Sequence, residues 1–356
     1  MANESQLLLQ GFLSGIDPTP NATQEKLFVP KSNKTPFPFT LVFGVISVLV
    51  ILFNGLVVAI FIKKRELRKR KSHLFLLSLA AADFLVGFCS LGYLFCLKSK
   101  YLAMFAKQIS TVVLGFSLET SMFSLWCITY ERLVGVKNSL QYQKIVTTNT
   151  VNSAIIATWV IAAFMTVASS VLALTLEDGK YFELNGVVIV VLATATSVFL
   201  TGVYFYLYKE IRRHGRDIRS TSVSVSNSID FDMVATKSLD ETLDIDNRNH
   251  LDVTQESMLQ VPRKKNMKLV RLNKEKRSLV LCTFIVCSFS ICWTPITVFF
   301  AGQLLRQEYM TKDFMLYFSL CLVLLNSLLD PLVYFALRND LRRAAISVLC
   351  KRGTRR

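Results

Sequence analysis

The chain has 356 residues, of which 52% are hydrophobic and 19% are charged, and its formal net charge is +16. A soluble domain usually has about a quarter of its residues charged, so this composition excludes an ordinary water-soluble protein. The excess of Lys and Arg lies in short segments between apolar runs, which is typical of membrane topology and not of nucleic-acid binding. We therefore expect no nucleic-acid partner.

Seven apolar runs are long enough to cross a bilayer, which takes about 20 helical residues. They cover approximately 38–62, 73–97, 105–129, 151–174, 186–208, 279–302 and 314–337. The sequence therefore predicts an all-α membrane protein with a seven-transmembrane helix bundle.

The segments between and beyond these runs divide the chain further. The middle of 209–278 is rich in Ser, Thr and Asp, so it cannot bury a core, and we expect it to be largely disordered. The predicted parts are an extracellular glycosylated tail 1–37, helices one to five 38–208, a third cytoplasmic loop 209–278, helices six and seven 279–337, and an amphipathic helix with a short cytoplasmic tail 338–356.

Two patterns predict the orientation. The loop "KKRELRKRK" (63–71) and both ends of the long loop are basic, and the positive-inside rule places basic loops in the cytoplasm. The glycosylation sequons begin at Asn3, Asn21 and Asn33, all before the first run. We therefore expect a multi-pass plasma-membrane protein with an extracellular amino terminus.

Three acids lie inside the apolar runs, where ionisable side chains are costly and mark candidate sites. They are Asp83, Glu119 and Asp330, and Asn54 and Asn326 are polar companions. One interpretation is that these groups satisfy one another in a packed interior. A shared set of carboxyl groups also favours protonation or a bound cation, because like charges placed close together are costly.

Six motifs occur in six of the seven runs, in order. They are "NGLV" (54–57), "LAAAD" (79–83), "YERL" (130–133), Trp159, "CWTP" (292–295) and "DPLVY" (330–334). In these motifs the chain resembles the rhodopsin-like (class A) G-protein-coupled receptors. The resemblance implies a receptor, not an enzyme, that passes an extracellular signal to a heterotrimeric G protein by outward movement of helix six. It also implies arrestin and receptor kinases as partners.

The resemblance assigns a switch to the inner end of the bundle. Arg132 would pair with Glu131 and with Glu275 at the base of helix six in the off state, and Tyr334 would swing toward the opened crevice. The alternative is an ordinary interfacial ion pair, which contributes little when exposed.

The resemblance also implies a sodium site and an activation relay. The sodium ligands would be Asp83, Ser121, Asn326, Ser327 and Asp330, an oxygen-rich set that suits a hard cation. The alternative is a hydrogen-bond network filled with water. The relay residues would be Phe289, Trp293, Pro295, Asp330 and Pro331. Pro331 loosens helix seven because it removes a backbone hydrogen bond.

A helical repeat of 100° per residue places Leu114, Ser121 and Arg132 on one face of helix three, so that face connects the outer cavity with the inner switch. The ligand pocket is predicted to be apolar, with Leu114, Leu118, Trp293, Thr297 and Phe300. Leu114 stands where an amine receptor would have an acid. We expect a lipid or a small apolar ligand.

Several departures from the family pattern narrow the resemblance to one subgroup of these receptors. The family's outer cysteine of helix three is replaced by Lys107, the segment 174–187 has no cysteine, and helix five lacks its proline. With Asp330 in place of the usual asparagine, these features resemble the melanocortin, cannabinoid and sphingosine-phosphate receptor group. The usual outer disulfide is expected to be absent.

The carboxyl-terminal segment is amphipathic, with Phe335, Leu341 and Ala345 on the apolar side, and we expect it to lie on membrane lipid. Cys350 is a candidate for palmitoylation.

Two other functions are alternatives to a ligand-activated receptor. A transporter or channel predicts internal repeats, which the chain lacks. A receptor that signals without a ligand cannot be distinguished by sequence.

Overall fold

The computed structural model describes residues 37–96, 102–138, 141–176, 178–239, 280, 283–305 and 313–349. Every regular element in this part of the chain is a helix. Seven of them are long and apolar enough to cross a membrane, which confirms the predicted class. The sequons at Asn3, Asn21 and Asn33, Glu275 and Cys350 lie outside the described residues.

The helices, numbered in chain order, begin and end close to the predicted apolar runs. They are helix 1 (Phe37–Lys63), helix 2 (Lys71–Cys96), helix 3 (Leu102–Lys137), helix 4 (Thr148–Thr175), helix 5 (Asp178–Leu239), helix 6 (Thr283–Leu304), helix 7 (Asp313–Leu337) and helix 8 (Asn339–Leu349). Single-turn helices at Arg65–Arg68 and Tyr142–Ile145 lie in the first and second connections between them.

Helix 5 differs most from its prediction. It begins at Asp178, so almost no loop separates it from helix 4, and it continues past residue 208 to Leu239. The turns of helix 5 that follow residue 208 are rich in Lys, Glu and Arg, and these residues favour helix. The helix therefore occupies the first part of the segment 209–278. The rest of that segment lies outside the described residues, and its disorder stays a prediction.

The chain forms two compact units, residues 1–200 with 284–356, and residues 201–283. In the first unit helix 2 packs against helices 1, 3, 4 and 7, and helix 3 packs against helix 4. In the most apolar stretch of helix 2, 61% of the residues are buried, whereas in that of helix 4 only 11% are buried. Helix 2 is therefore central, and helix 4 presents most of its apolar surface outward, where a membrane would solvate it.

Hydroxyl groups inside the helices are satisfied locally. Ser47, Ser117, Thr120 and Ser319 each donate to the backbone carbonyl four residues earlier, at 2.6–2.7 Å. Such bonds satisfy polar groups that have no water to bond in an apolar interior. The core thus accommodates many small polar residues without a charged partner for each.

Helix 1 and helix 2 approach closely at Gly87. A Cβ atom there would lie 2.9 Å from both Ile51 Cγ1 and Val50 Cγ1, and 3.0 Å from the Ser47 backbone oxygen. The backbone oxygen cannot move aside as a flexible side chain can. Gly87 therefore sets the distance between the two helices.

We predict that Gly87→Ala lowers the melting temperature of the purified protein in detergent, because overpacking of this contact costs about 1–3 kcal/mol. Gly202→Ala is the matched control, since a Cβ at Gly202 meets no atom within 4 Å. Alanine favours helix over glycine, so the control is expected to melt at the same temperature or higher. Equal melting of Gly87→Ala and the parent protein would contradict the close approach.

Candidate functional site

A buried carboxyl group on helix 2 is the centre of a polar cluster. Both Ser121 on helix 3 and Ser327 on helix 7 donate hydrogen bonds to Asp83 Oδ1, at 2.9 and 2.8 Å. The Asp83 side chain is fully buried. Helices 2, 3 and 7 are therefore joined through one carboxylate oxygen.

Helix 1 joins the same cluster through Asn54, whose amide nitrogen donates to the Ser327 backbone oxygen at 3.0 Å. Asp330 is buried on helix 7, close enough to interact electrostatically with Asp83, and Asn326 is buried one turn before it. The structure thus brings together Asp83, Ser121 and Ser327 by direct bonds, and it places Asn326 and Asp330 on the adjoining helix.

Several oxygens of this interior are buried and have no hydrogen-bond partner among the described residues. They are Asn54 Oδ1, Asp83 Oδ2, Asp330 Oδ2, Ser90 Oγ and Ser124 Oγ. Buried polar atoms normally have a partner, so this set is suited to water or to a cation with oxygen ligands. The described residues contain no group of three or more His, Cys, Asp or Glu placed to hold a metal.

A second charged cluster lies at the end of the bundle where helix 3 ends at Lys137, which we call the basic end. Arg132 Nε lies 3.3 Å from Glu131 Oε2, and the Tyr142 hydroxyl donates to the other Glu131 oxygen. The Glu131 side chain is only 5% exposed. Both oxygens of this carboxylate are therefore engaged. The bond to Glu131, together with burial, raises the pKa of Tyr142.

Arg338, just after helix 7, adds a second cation near this cluster. Burial and the nearby Arg132 guanidinium lower its pKa below the ordinary arginine value, and Glu131 opposes this shift. The sequence pattern predicts Arg338 on the exposed side of the terminal amphipathic helix. The prediction is wrong for this residue, because it precedes helix 8 and is half-buried. Arg342 and Arg343 are exposed as predicted.

Helix 8 is tied to the first connection. Asp340 accepts from Arg70 at 2.9 Å, and His73 Nε2 lies 3.5 Å from the same oxygen. The apolar side of helix 8 is buried at Leu341 and Ala345. The predicted amphipathic helix is thus present and lies against the basic end of the bundle.

The predicted relay residues of helix 6 lie together. The rings of Phe289 and Trp293 stack with centroids 5.4 Å apart and an interplanar angle of 21°. Both are buried, and the Trp293 ring nitrogen has no hydrogen-bond partner among the described residues. Pro295 follows within the helix, and Pro331 and the buried Tyr334 lie within or near the last turns of helix 7.

The five predicted pocket residues fall into two groups. Leu114 and Leu118 pack against an apolar cluster of helices 1, 2 and 7. Trp293, Thr297 and Phe300 lie on helix 6, where the Thr297 hydroxyl bonds the Trp293 carbonyl at 2.8 Å. Phe300 borders helix 5, because a Cβ at Gly186 would lie 3.1 Å from its ring.

Comparison with known proteins identifies the family to which this chain belongs. The profile of the family described as "7 transmembrane receptor (rhodopsin family)" matches residues 53–334. The chain is a member of the rhodopsin family of seven-transmembrane receptors. It is therefore a multi-pass plasma-membrane receptor that responds to an extracellular signal and acts through G proteins.

Similar receptors have about a quarter of their aligned residues identical to those of this chain. Human melanocortin receptor 5 is 24% identical over 88% of this chain and 85% of its own length. The octopamine receptor beta-1R of Drosophila melanogaster is 23% identical over 85% of this chain and 59% of its own length. The alpha-2A adrenergic receptor of Danio rerio is 23% identical over 94% and 97%. The melanocortin part of the predicted resemblance thus recurs among the similar proteins.

Some contacts within the receptor were not predicted. Trp159 Nε1 donates to Ser78 at 2.9 Å and Trp126 Nε1 donates to Thr196 at 3.1 Å. Tryptophan nitrogens inside a protein usually have a hydrogen-bond partner, so two tryptophans inside apolar runs were a usable signal. Tyr142 gave no comparable signal, because a tyrosine in a loop is unremarkable until the loop is seen to return to helix 3.

Five cysteines of the receptor are free in the described residues: Cys89, Cys127, Cys287, Cys292 and Cys321. The side chain of Lys107, at the expected cysteine position of helix 3, lies outside the described residues. The absence of the usual outer disulfide therefore stays a prediction from the sequence.

We predict that Tyr142→Phe lowers the melting temperature of the purified receptor. A hydrogen bond to a buried carboxylate contributes about 1–2 kcal/mol, and its loss leaves one Glu131 oxygen without its partner. Tyr206→Phe removes a hydroxyl from an exposed tyrosine and is the control. If both variants have the same melting temperature, the Tyr142 hydrogen bond does not contribute to the stability of the receptor.

Proposed function

We propose that this receptor binds a small, largely apolar ligand from the extracellular side and activates its G protein by outward movement of helix 6. The observation that carries the proposal is the Glu131–Arg132 pair at the basic end, with both carboxylate oxygens engaged. A charged pair buried at a helix end is a stable state that a conformational change can break.

The proposed orientation places the basic end in the cytoplasm. Helix 1 ends at Lys63, helix 2 begins at Lys71 and helix 3 ends at Lys137, and the positive-inside rule assigns such ends to the cytoplasmic side. The amino terminus with Asn3, Asn21 and Asn33 is then extracellular and available for glycosylation, and Cys350 is available for palmitoylation beside the inner leaflet. Arrestin and receptor kinases would act on the same cytoplasmic side.

In the proposed off state, Glu275 adds a second acid to the Arg132 cluster and holds helix 6 against helix 3. Arg132 lies beside Glu131, and Arg338 feels both the Arg132 guanidinium and the carboxylates of Asp340 and Glu131. A further acid near Arg132 would add to the attraction that holds this cluster together. Movement of helix 6 would withdraw Glu275, and Tyr334 would turn into the crevice that opens.

The ligand is proposed to reach helix 6 on the opposite, extracellular side. Leu114 and Leu118 offer an apolar wall, and Trp293 and Phe300 offer aromatic surface with one unsatisfied ring nitrogen. Such a lining suits an apolar body with few polar groups. The stacked Phe289 and Trp293 would transmit a shift in the Trp293 ring along helix 6.

A sodium ion fits the polar cluster of the four helices. Asp83 Oδ2, Asp330 Oδ2 and Asn54 Oδ1 are buried oxygens that have no hydrogen-bond partner in the described ranges, and the Ser121 and Ser327 hydroxyls bond the other Asp83 oxygen. Residues that would hold the ion are therefore Asp83, Ser121, Asn326, Ser327 and Asp330. The ion would neutralise buried negative charge and favour the off state.

We predict that Glu275→Ala raises basal nucleotide exchange on the coupled Gα protein. Loss of an ion pair of about 0.5–1 kcal/mol corresponds to a roughly twofold to fivefold shift toward the active state. The measurement is GTPγS binding in membranes reconstituted with each Gα family, corrected for surface receptor. Glu256→Ala, in the same cytoplasmic segment, is the control. Unchanged exchange in a well-expressed Glu275→Ala receptor would reject the lock.

We further predict that sodium, but not potassium, raises the melting temperature of the purified receptor. Binding at ten times the dissociation constant stabilises by roughly 1.4 kcal/mol. Asp83→Asn is expected to abolish the sodium effect because it removes the central carboxylate, and Ser121→Ala is expected to weaken it. A full sodium effect in Asp83→Asn would show that the ion binds elsewhere.

A further inference from the structure

Helix 3 carries a second intramembrane carboxyl group that the sodium cluster and the basic end do not use. We propose that Glu119 anchors a protonated amine on the receptor's ligand, at the place where helix 3 faces helices 4 and 5. This inference names the polar group of the ligand and rests on the proposed function as a ligand-activated receptor.

The Glu119 carboxylate is only half satisfied. Its Oε2 atom accepts one hydrogen bond, from the Thr166 hydroxyl of helix 4 at 3.2 Å, and its other oxygen has no hydrogen bond among the described residues. In contrast, Glu131 on the same helix has Tyr142 on one oxygen and Arg132 on the other. Glu119 is also half-buried, so the described residues do not fully enclose its side chain.

The helical repeat shows which way Glu119 faces. Trp126 is seven residues later, about 20° away around the helix, and its ring nitrogen bonds Thr196 of helix 5. Phe116 is three residues earlier, about 60° to the other side, and packs on Trp159 of helix 4 with centroids 5.6 Å apart. Glu119 therefore points between helices 4 and 5, away from Asp83.

Open space adjoins the carboxylate. Gly115 is four residues before Glu119, one turn away and on nearly the same face. A Cβ atom built there meets no atom within 4 Å, in contrast to the tight contact at Gly87. Helix 3 thus has room beside it about 6 Å outward from Glu119, on the side that faces helix 5.

Thr166 contacts Glu119 through its hydroxyl, and further hydroxyl groups follow within one turn of helix 4. Ser170 donates to the Thr166 backbone oxygen at 2.8 Å, and the Ser169 and Tyr181 hydroxyls lie 3.4 Å apart. No ion pair joins Glu119 to a Lys, Arg or His of the described residues. A carboxylate among hydroxyls, without a cation of its own, is complementary to an ammonium group that donates to several oxygens.

The position also explains why an amine is compatible with an apolar wall at Leu114. Glu119 lies five residues deeper on helix 3, about 7.5 Å along its axis, and about 140° around it. An ammonium group there would point toward helices 4 and 5, while the apolar body of the ligand lies toward Leu114 and Trp293. Intramembrane carboxylates are costly, so retention of a charge-bearing group at this place favours a functional partner.

The test is a thermal titration of the purified full-length receptor with 2-phenylethylamine and its neutral counterpart 2-phenylethanol. We expect a saturable rise in melting temperature with the amine and a much smaller one with the alcohol. Glu119→Gln keeps the size of the side chain and its acceptor for Thr166, and should weaken amine binding at least tenfold without changing the response to the alcohol. Glu183→Gln removes an exposed acid of helix 5 and should retain the amine response.

Gly115→Leu gives a second variant that leaves the carboxylate in place and fills the open space. It should also abolish the amine response, and it decides the matter alone if Glu119→Gln yields too little folded receptor. Equal responses to amine and alcohol in the parent receptor, or a full amine response in either variant, would overturn the assignment. Basal nucleotide exchange by the Glu275→Ala receptor is measured without ligand. A failure of the Glu119 inference can therefore be distinguished from a failure of the proposed function.

Discussion

The burial of Asp83 is the constraint on which the packing of this receptor depends. A carboxylate in an apolar interior is costly unless it has hydrogen bonds or a cation, and Asp83 receives bonds from helices 3 and 7 on one oxygen. Asn54 extends the arrangement to helix 1. Four helices are thus held in one register by this cluster, and the other Asp83 oxygen has no hydrogen bond within the described part of the chain.

The three intramembrane acids differ in what surrounds them. Asp83 and Asp330 are both buried, and Asp83 accepts hydrogen bonds from the Ser121 and Ser327 hydroxyls. Glu119 has one long hydrogen bond to Thr166 and open space one turn away. The first environment favours a small ion that the protein itself surrounds, and the second favours a larger cation whose remaining surface belongs to a ligand.

Much of this architecture could be predicted because apolar length, charge placement and six motifs are local properties of the sequence. Asp83, Ser121 and Ser327 were brought together correctly, since their helical positions determine their depth. Tyr142 and Arg338 were not predicted as partners of the Arg132 cluster, because their places depend on how a loop returns and where helix 7 ends. The Ser-rich part of helix 5, which ends at Leu239, was also not predicted as helix, because its composition favours a loop.

The charge balance at the basic end gives a reason for the acid that the resemblance places at the base of helix 6. Arg132 and Arg338 contribute two positive charges close to Glu131, whose two oxygens already contact Arg132 and Tyr142. Burial first, and the nearby Arg132 guanidinium second, lower the pKa of Arg338, and Asp340 and Glu131 oppose the shift. In the proposed off state, one more carboxylate beside Arg132 would strengthen this cluster, and its withdrawal would leave more uncompensated positive charge near helices 3 and 7. In the proposed mechanism, the same electrostatic arrangement would stabilise the closed bundle and would suit an acidic or hydrogen-bond-accepting segment of a G protein in the open one.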